Sequence, residues 1–159
     1  MNQKKNYNNP FIATYTGIRD LFRKHVKVGE LSGSERLDGR RVLITGASSG
    51  LGLATAKQLA HRGAEVIMGC RSGIPEKGEE VKSASGSSTV HMIHVDLSDL
   101  DSVKKFIETV KTQYAPLDIL ICNAAIVPKK SRKTPQGLEQ MFVVNYFAKF
   151  FLVNGLIEA

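Results

Sequence analysis

Tyr146 and Lys149 stand three residues apart in the run NYFAKF, residues 145–150. A tyrosine beside an ammonium group is a proton donor with its pKa-lowering neighbour, and positions three apart share a helix face. A second stretch with chemical potential is TGASSGLG, residues 45–52, where Gly46, Gly50 and Gly52 leave the backbone bare around Ser48, Ser49 and Leu51. Gly46 permits a tight turn, Gly50 a close backbone approach to a pyrophosphate, and Gly52 close packing of the next helix. The N–H groups and dipole of that helix then face the anion. A mononucleotide P-loop needs Gly-Lys-Ser/Thr, and Leu51 follows Gly50, so that rival is discarded. Cys70 and Cys122 form neither metal-type spacing nor a disulfide framework, and no metal site is expected.

The elements that must position these residues alternate along the chain. RVLIT (41–45) reads as a first strand and GLATAKQLAHRG (52–63) as a helix closed by Gly63. AEVIMGC (64–70) is strand two, PEKGEEVKSAS (75–85) a polar helix opened by Pro75, and TVHMIHV (89–95) strand three. The segment 98–114 starts with Ser98 as cap and sets Leu100, Val103, Phe106, Ile107 and Val110 on one face. LDILICN (117–123) is strand four, and a long helix is expected from Pro135 or Gln136 to Ala159. Continuous apolar strands joined by helices predict an α/β doubly wound parallel sheet of Rossmann type. Residues 1–37 read as an extension with a short helix over 17–28, and residues 38–159 as a nucleotide-binding domain.

In that setting the motifs resemble the short-chain dehydrogenase/reductase family. Thr45-Gly46-x-x-x-Gly50-x-Gly52 is similar to its cofactor signature, Asp96-Leu97 to its adenine-contacting pair, and Asn123-Ala124-Ala125 to its Asn-Ala-Gly turn. Asn145 matches its helical active-site asparagine. Cys122 and Ala125 depart from the usual Asn and Gly, a variant resembling the branch of protochlorophyllide reductases, WW-domain oxidoreductases and retinol dehydrogenases. TGASSGLGLATAK and VIMGCR lean most closely toward the protochlorophyllide reductases.

The resemblance implies hydride transfer between nicotinamide and a carbonyl or alcohol carbon, with a Tyr-x-x-x-Lys pair moving the proton. None of the four tyrosines has that spacing: Tyr7 precedes Phe11, Tyr15 Arg19, Tyr114 Asp118 and Tyr146 Phe150. Because Tyr146 follows the residue aligned with the family asparagine, it belongs to the helix after strand four, whereas the family tyrosine lies on the helix after strand five. Tyr146 and Lys149 are therefore expected to be surface or packing residues. The chain is expected to be the N-terminal cofactor portion of a longer oxidoreductase, cut after that helix and inactive alone. The rival readings are a non-catalytic nucleotide-binding protein and an interaction module docking through its apolar last helix.

Cofactor choice is read at the end of strand two. An NAD enzyme would carry Asp or Glu there for the ribose hydroxyls; this chain has Cys70 followed by Arg71, which suits a 2′-phosphate. NADP(H) is the expected cofactor, with a solvated loop cation as the other reading of Arg71. Asp96 could equally serve helix entry, and Asn123 could simply close a turn.

The totals fit a globular protein, with 42% hydrophobic and 23% charged residues. The net charge of +7 sits mostly in residues 1–41, and without a zinc-finger or other nucleic-acid motif no nucleic-acid partner is expected. The basic loop KKSRK (129–133) is expected to be solvated, and residues 17–28 to offer at most a peripheral membrane contact. Without a signal-like apolar region, a reducing, cytoplasmic setting is expected. The resemblance implies a small-molecule substrate as partner and a homo-oligomer for the full-length protein.

Overall fold

The computed structural model describes residues 10–21 and 35–157. It divides into two units, residues 1–33 and 34–159. In the first unit, helix α1 (Pro10–Leu21) is described. Proline suits its first position, where no intrahelical N–H donor is needed. The helix thus begins before the expected 17–28, and residues 22–28 lie outside the described residues.

The second unit is built on strands β1 (Arg41–Thr45), β2 (Glu65–Cys70), β3 (Val90–His94) and β4 (Ile119–Ile121). All pair in parallel in the order β3-β2-β1-β4, with Leu43 beside both Ile67 and Leu120. Crossovers are made by α2 (Gly50–His61), α3 (Glu76–Ser85) and α4 (Leu100–Tyr114). Strand side chains alternate between faces, so Val42, Ile44, Val66 and Met68 pack with Ala56, Ala60 and Val81 of α2 and α3. Leu43 and Ile67 face the other way, among Val103, Phe106 and Val110 of α4. Both faces are buried, which is why these strands read as unbroken apolar runs.

Gly69 lets α4 come close. A Cβ built there would stand 2.8 Å from Phe106 Cζ, and Phe106 is buried. Strand β2 thus gives up a side chain so that the largest apolar group of α4 can lie against the sheet.

Two local expectations are corrected. Helix α4 is capped by Asp99, whose carboxylate accepts from Asp101 N at 3.1 Å, while Ser98 donates through N and Oγ to Asp96 Oδ1 at 2.8 and 2.7 Å. Asp96 therefore competes successfully for the serine. The last helix begins not at Pro135 or Gln136 but as α5 (Gln140–Phe142), with the Glu139 carboxylate accepting from Phe142 N at 2.7 Å. Gly137, at φ +78°, takes the left-handed conformation that a helix interior forbids. Gln140 N donates to Arg132 O at 2.8 Å and closes a small antiparallel loop between Lys133 and Glu139. The helix then passes through a π-helical segment (Val143–Phe147) into α6 (Ala148–Leu156), where Val144, Ala148, Leu152 and Leu156 join the core on the α4 side.

Two substitutions check this packing by urea unfolding. Phe106→Ala should cost about 3–5 kcal/mol through lost burial and an unfilled cavity. Gly69→Ala should cost about 1–3 kcal/mol by overpacking; a neutral Gly69→Ala would mean that the ring yields freely.

Candidate functional site

The strand order sets the site. Helix α2 leaves β1 on one side of the sheet and α6 packs on the other, so the chains leaving β1 and β4 touch where the strands end and diverge beyond that contact, leaving a crevice at the carboxyl ends of the strands. Gly46, at φ +68°, turns the chain out of β1 and donates its N–H to Gly69 O at 2.8 Å. A Cβ on Gly46 would lie 2.8 Å from Ala124 Cα; on Gly52 it would collide with the Gly46 carbonyl oxygen and stand 2.5 Å from Asn123 Nδ2. Both glycines are bare because the loop after β4 lies against them. Gly50 differs: at φ +52° it has nothing within 4 Å of an added Cβ.

Polar bonds lock this contact. Asn123 Nδ2 donates to Thr45 O at 3.0 Å and to Gly46 O at 3.2 Å, and Ala124 N donates to Thr45 Oγ1 at 3.2 Å. Further along, Asn145 Nδ2 donates to Ile126 O at 2.8 Å while Asn145 Oδ1 accepts from Ile126 N at 2.9 Å. The loop after β4 is thereby pinned to the β1 turn at one end and to the π-helical segment at the other.

Between these walls lies a cleft of about 470 Å³, a size typical of small-molecule and cofactor sites. All twelve residues singled out for cofactor contact line it: the turn from Gly46 through Ser48, Ser49, Gly50 and Leu51 to Gly52, then Arg71, Asp96 and Leu97, and Asn123, Ala124 and Ala125. Asn145 is not on its wall and reaches it only through Ile126, which is. Gly69, Ser72, Val95, Ile126 and Val144 also line the cleft without having been singled out. Their positions next to Cys70–Arg71, Asp96, Ala125 and Asn145 were the available signal.

The electrostatics of the cleft favour an anion. Ser49, the N-cap of α2, makes no side-chain capping bond, so the first N–H groups of the helix are left for a ligand. Cys70 is buried at the end of β2, and burial pushes its thiol up despite hydrogen bonds with Ala47 and Ser48. The position that could hold a carboxylate is therefore uncharged at neutral pH. Arg71 is exposed on the wall and makes no hydrogen bond or ion pair with a described residue.

Tyr146 and Lys149 do not form a pair. Tyr146 is 62% exposed and its ring lies 5.5 Å from that of Phe142. Lys149 instead acts electrostatically on Cys122, whose thiol is pushed up by burial and drawn back by that ammonium. Among the described residues no cluster of His, Cys, Asp and Glu could hold a metal ion, and no helix is long and apolar enough to cross a membrane.

Comparison with known proteins agrees with this geometry. The short chain dehydrogenase family profile matches residues 40–159. A protochlorophyllide reductase of Avena sativa is 44% identical over 123 residues, covering 74% of this chain and 39% of its own. The chloroplastic protochlorophyllide reductase of Daucus carota is 41% identical over 132 residues, covering 79% and 33%. The chain thus spans somewhat over a third of one relative and a third of the other. Among solved structures, L-sorbose reductase of Gluconobacter frateurii, complexed with NADPH and L-sorbose, superposes with a TM-score of 0.66 at 27% identity, over 78% of this chain and 48% of that one.

Asn145→Ala checks the pinning of the loop. Removing the amide strands both polar groups of Ile126 in a half-buried place, which should cost about 1–3 kcal/mol and speed amide hydrogen exchange at Ile126. Unchanged exchange there would show that the loop holds its shape without Asn145.

Proposed function

This chain belongs to the short-chain dehydrogenase/reductase family, and we propose that its cleft is the cofactor-binding portion of an NADP(H)-dependent oxidoreductase acting on a carbonyl, an alcohol or a related C=C substrate. The observation that carries the reading is the meeting on one cleft of the uncapped N-terminus of α2, with open space at Gly50, and of Arg71, which has no partner among the described residues and follows the buried, uncharged Cys70.

The residues present fit such a cofactor. The N–H groups that open α2 and the bare backbone at Gly50 would receive the pyrophosphate. Arg71 would take the 2′-phosphate, for which a planar guanidinium offers paired donors and which no carboxylate at the carboxyl end of β2 repels. Asp96 and Leu97 would border the adenine, and Asn123–Ala125 would line the cofactor's path beside the β1 turn. Bound NADP(H) supplies the hydride donor or acceptor. This chain's own part is to orient that group and to exclude water along Val95, Ile126 and Val144.

A second group of residues acts at a distance. Asn145 holds Ile126 by both backbone atoms and so fixes the wall of the cleft from behind. That makes it a positioning residue in these 159 residues, whatever further part it plays in the longer relatives' chemistry. Tyr146 does not line the cleft; its ring is tilted against that of Phe142.

Binding and turnover test the reading separately. By calorimetry the chain should bind NADPH at least about tenfold more tightly than NADH, and Arg71→Ala should remove that preference by weakening NADPH alone, as loss of a charge-assisted bond predicts. An unchanged preference in Arg71→Ala would return Arg71 to the status of a solvated loop cation. Since no tyrosine among the 159 residues has a lysine four positions later, the chain alone should oxidise no NADPH with carbonyl substrates. Turnover that disappears in Tyr146→Phe would assign the proton to the very tyrosine set aside here.

A further inference from the structure

Beside the cofactor cleft lies a second cavity of about 690 Å³, lined by Arg71, Gln140 and the loop from Ile126 to Arg132. Arg71 and Ile126 line both cavities, so the two share a wall. The sequence suggests only a solvated basic loop at this place. The fold turns it into the rim of a concave surface.

Among the described residues, the charge of that rim has no ion-pair partner. Residues 119–138 contain Lys129, Lys130, Arg132 and Lys133 and no Asp or Glu. None of these side chains, nor Arg71, makes a hydrogen bond or ion pair with a described residue. The nearest acid in sequence, Glu139, is engaged as the cap of α5. Cations on a concave surface reinforce one another's potential and attract an anion. Their backbone is also held: Ile126 by Asn145 at one end, and Arg132 O by Gln140 N at 2.8 Å at the other.

The inner wall has the opposite character. Ile126, Val127 and Pro128 line it, and Val127 is 87% exposed, so it shows water an apolar surface that a ligand could cover. A cavity with an apolar wall and a rim of cations matches a molecule with an apolar body and an oxyanion. Resting on the cofactor reading of the adjoining cleft, we propose that this cavity is a substrate subsite, in which Lys129, Lys130 and Arg132 hold the carboxylate or phosphate of an otherwise apolar substrate. Arg71 lines both cavities and is left to the cofactor in this proposal.

The test measures binding by calorimetry to the 159-residue chain, with decanoate, decyl phosphate and 1-decanol as probes and NADPH and NADH in parallel. The wild-type chain should bind decanoate or decyl phosphate about tenfold or more tightly than decanol, and added salt should weaken only the anions. In the triple variant Lys129→Ala, Lys130→Ala, Arg132→Ala that advantage should vanish, with decanol unchanged and NADPH affinity kept within about twofold, the expectation for exposed charges off the nucleotide path. These side chains make no bond with a described residue, so circular dichroism of the triple variant should match the wild type. Equal binding of anion and alcohol by the wild type, or an unchanged anion advantage in the variant, overturns the subsite. A variant that loses NADPH affinity while NADH is unaffected overturns it too, because the cations then serve the 2′-phosphate. Failure of the chain to bind either nucleotide removes the cofactor reading alone, since the three probes are titrated without nucleotide.

Discussion

The structure depends on one close contact, that of the loop after β4 with the turn after β1. Parallel neighbours bring the ends of β1 and β4 side by side, yet two backbones can touch there only where side chains are missing. Gly46 and Gly52 supply that space, since a Cβ on either would meet Ala124, Asn123 or the Gly46 carbonyl. Asn123 then fills the seam by donating to two backbone carbonyls, so that neither is an unpaired group. Each such unpaired group costs about 1–3 kcal/mol when buried, so the contact is held by satisfaction as well as by shape. The aim of α2 follows, because its first turn includes Gly52. The cleft follows in turn, because the helix N-terminus can open on it only while the β4 loop stays on its own side.

A second anchor lies farther along the chain and acts through a less common geometry. Ala148 N bonds to Val143 O, five residues back, so the helix widens by one residue between α5 and α6. Such π-helical turns concentrate at functional sites. Here the widened turn contains Asn145, whose amide meets both backbone groups of Ile126. One side chain thus couples the last helix to the loop that walls both cavities. A loop of mostly exposed residues would otherwise have little to define it. It is fixed instead at Asn123, at Ile126 and at Arg132.

The sheet was legible because its central strands β1 and β2 are buried on both faces and show it as apolar runs, and because turns and helices set off the half-buried edge strands; RVLIT coincides with β1, and the other three lie within the predicted spans. The glycine turn was legible because a strand precedes it and a helix follows it. What sequence alone missed depends on tertiary partners. Gly69 looks like a weak spot in a strand until Phe106 is seen to need its place. Ser98 is a sound cap by type, but the Asp96 carboxylate claims it and leaves the helix to Asp99. The run from Pro135 looks helical by composition, yet Gly137 and the bond from Gln140 N to Arg132 O fold it into a small loop first. The π-helical turn left no periodic mark, since it shifts the pattern by only one residue.

Charge distribution shows why net charge is a poor guide to this site. The basic excess lies mainly in residues 1–41, so the sheet domain looks nearly balanced. Its balance is local, however. Glu80 bonds to Lys57 and Lys77, a pairing that draws its carboxyl down to about 2; Glu79 takes Lys82 and Asp118 takes Arg40. With those acids engaged at or below the helices, the cations at the carboxyl end of the sheet have none of them as counterions. The uncharged Cys70 removes one more place where an acid could have stood. A domain close to neutral thus leaves Arg71 and the cations of the loop after β4 without an ion-pair partner among the described residues, while Asp96 and Asp99 at the same end of the sheet are held by Ser98, Asp101 N and Gln136.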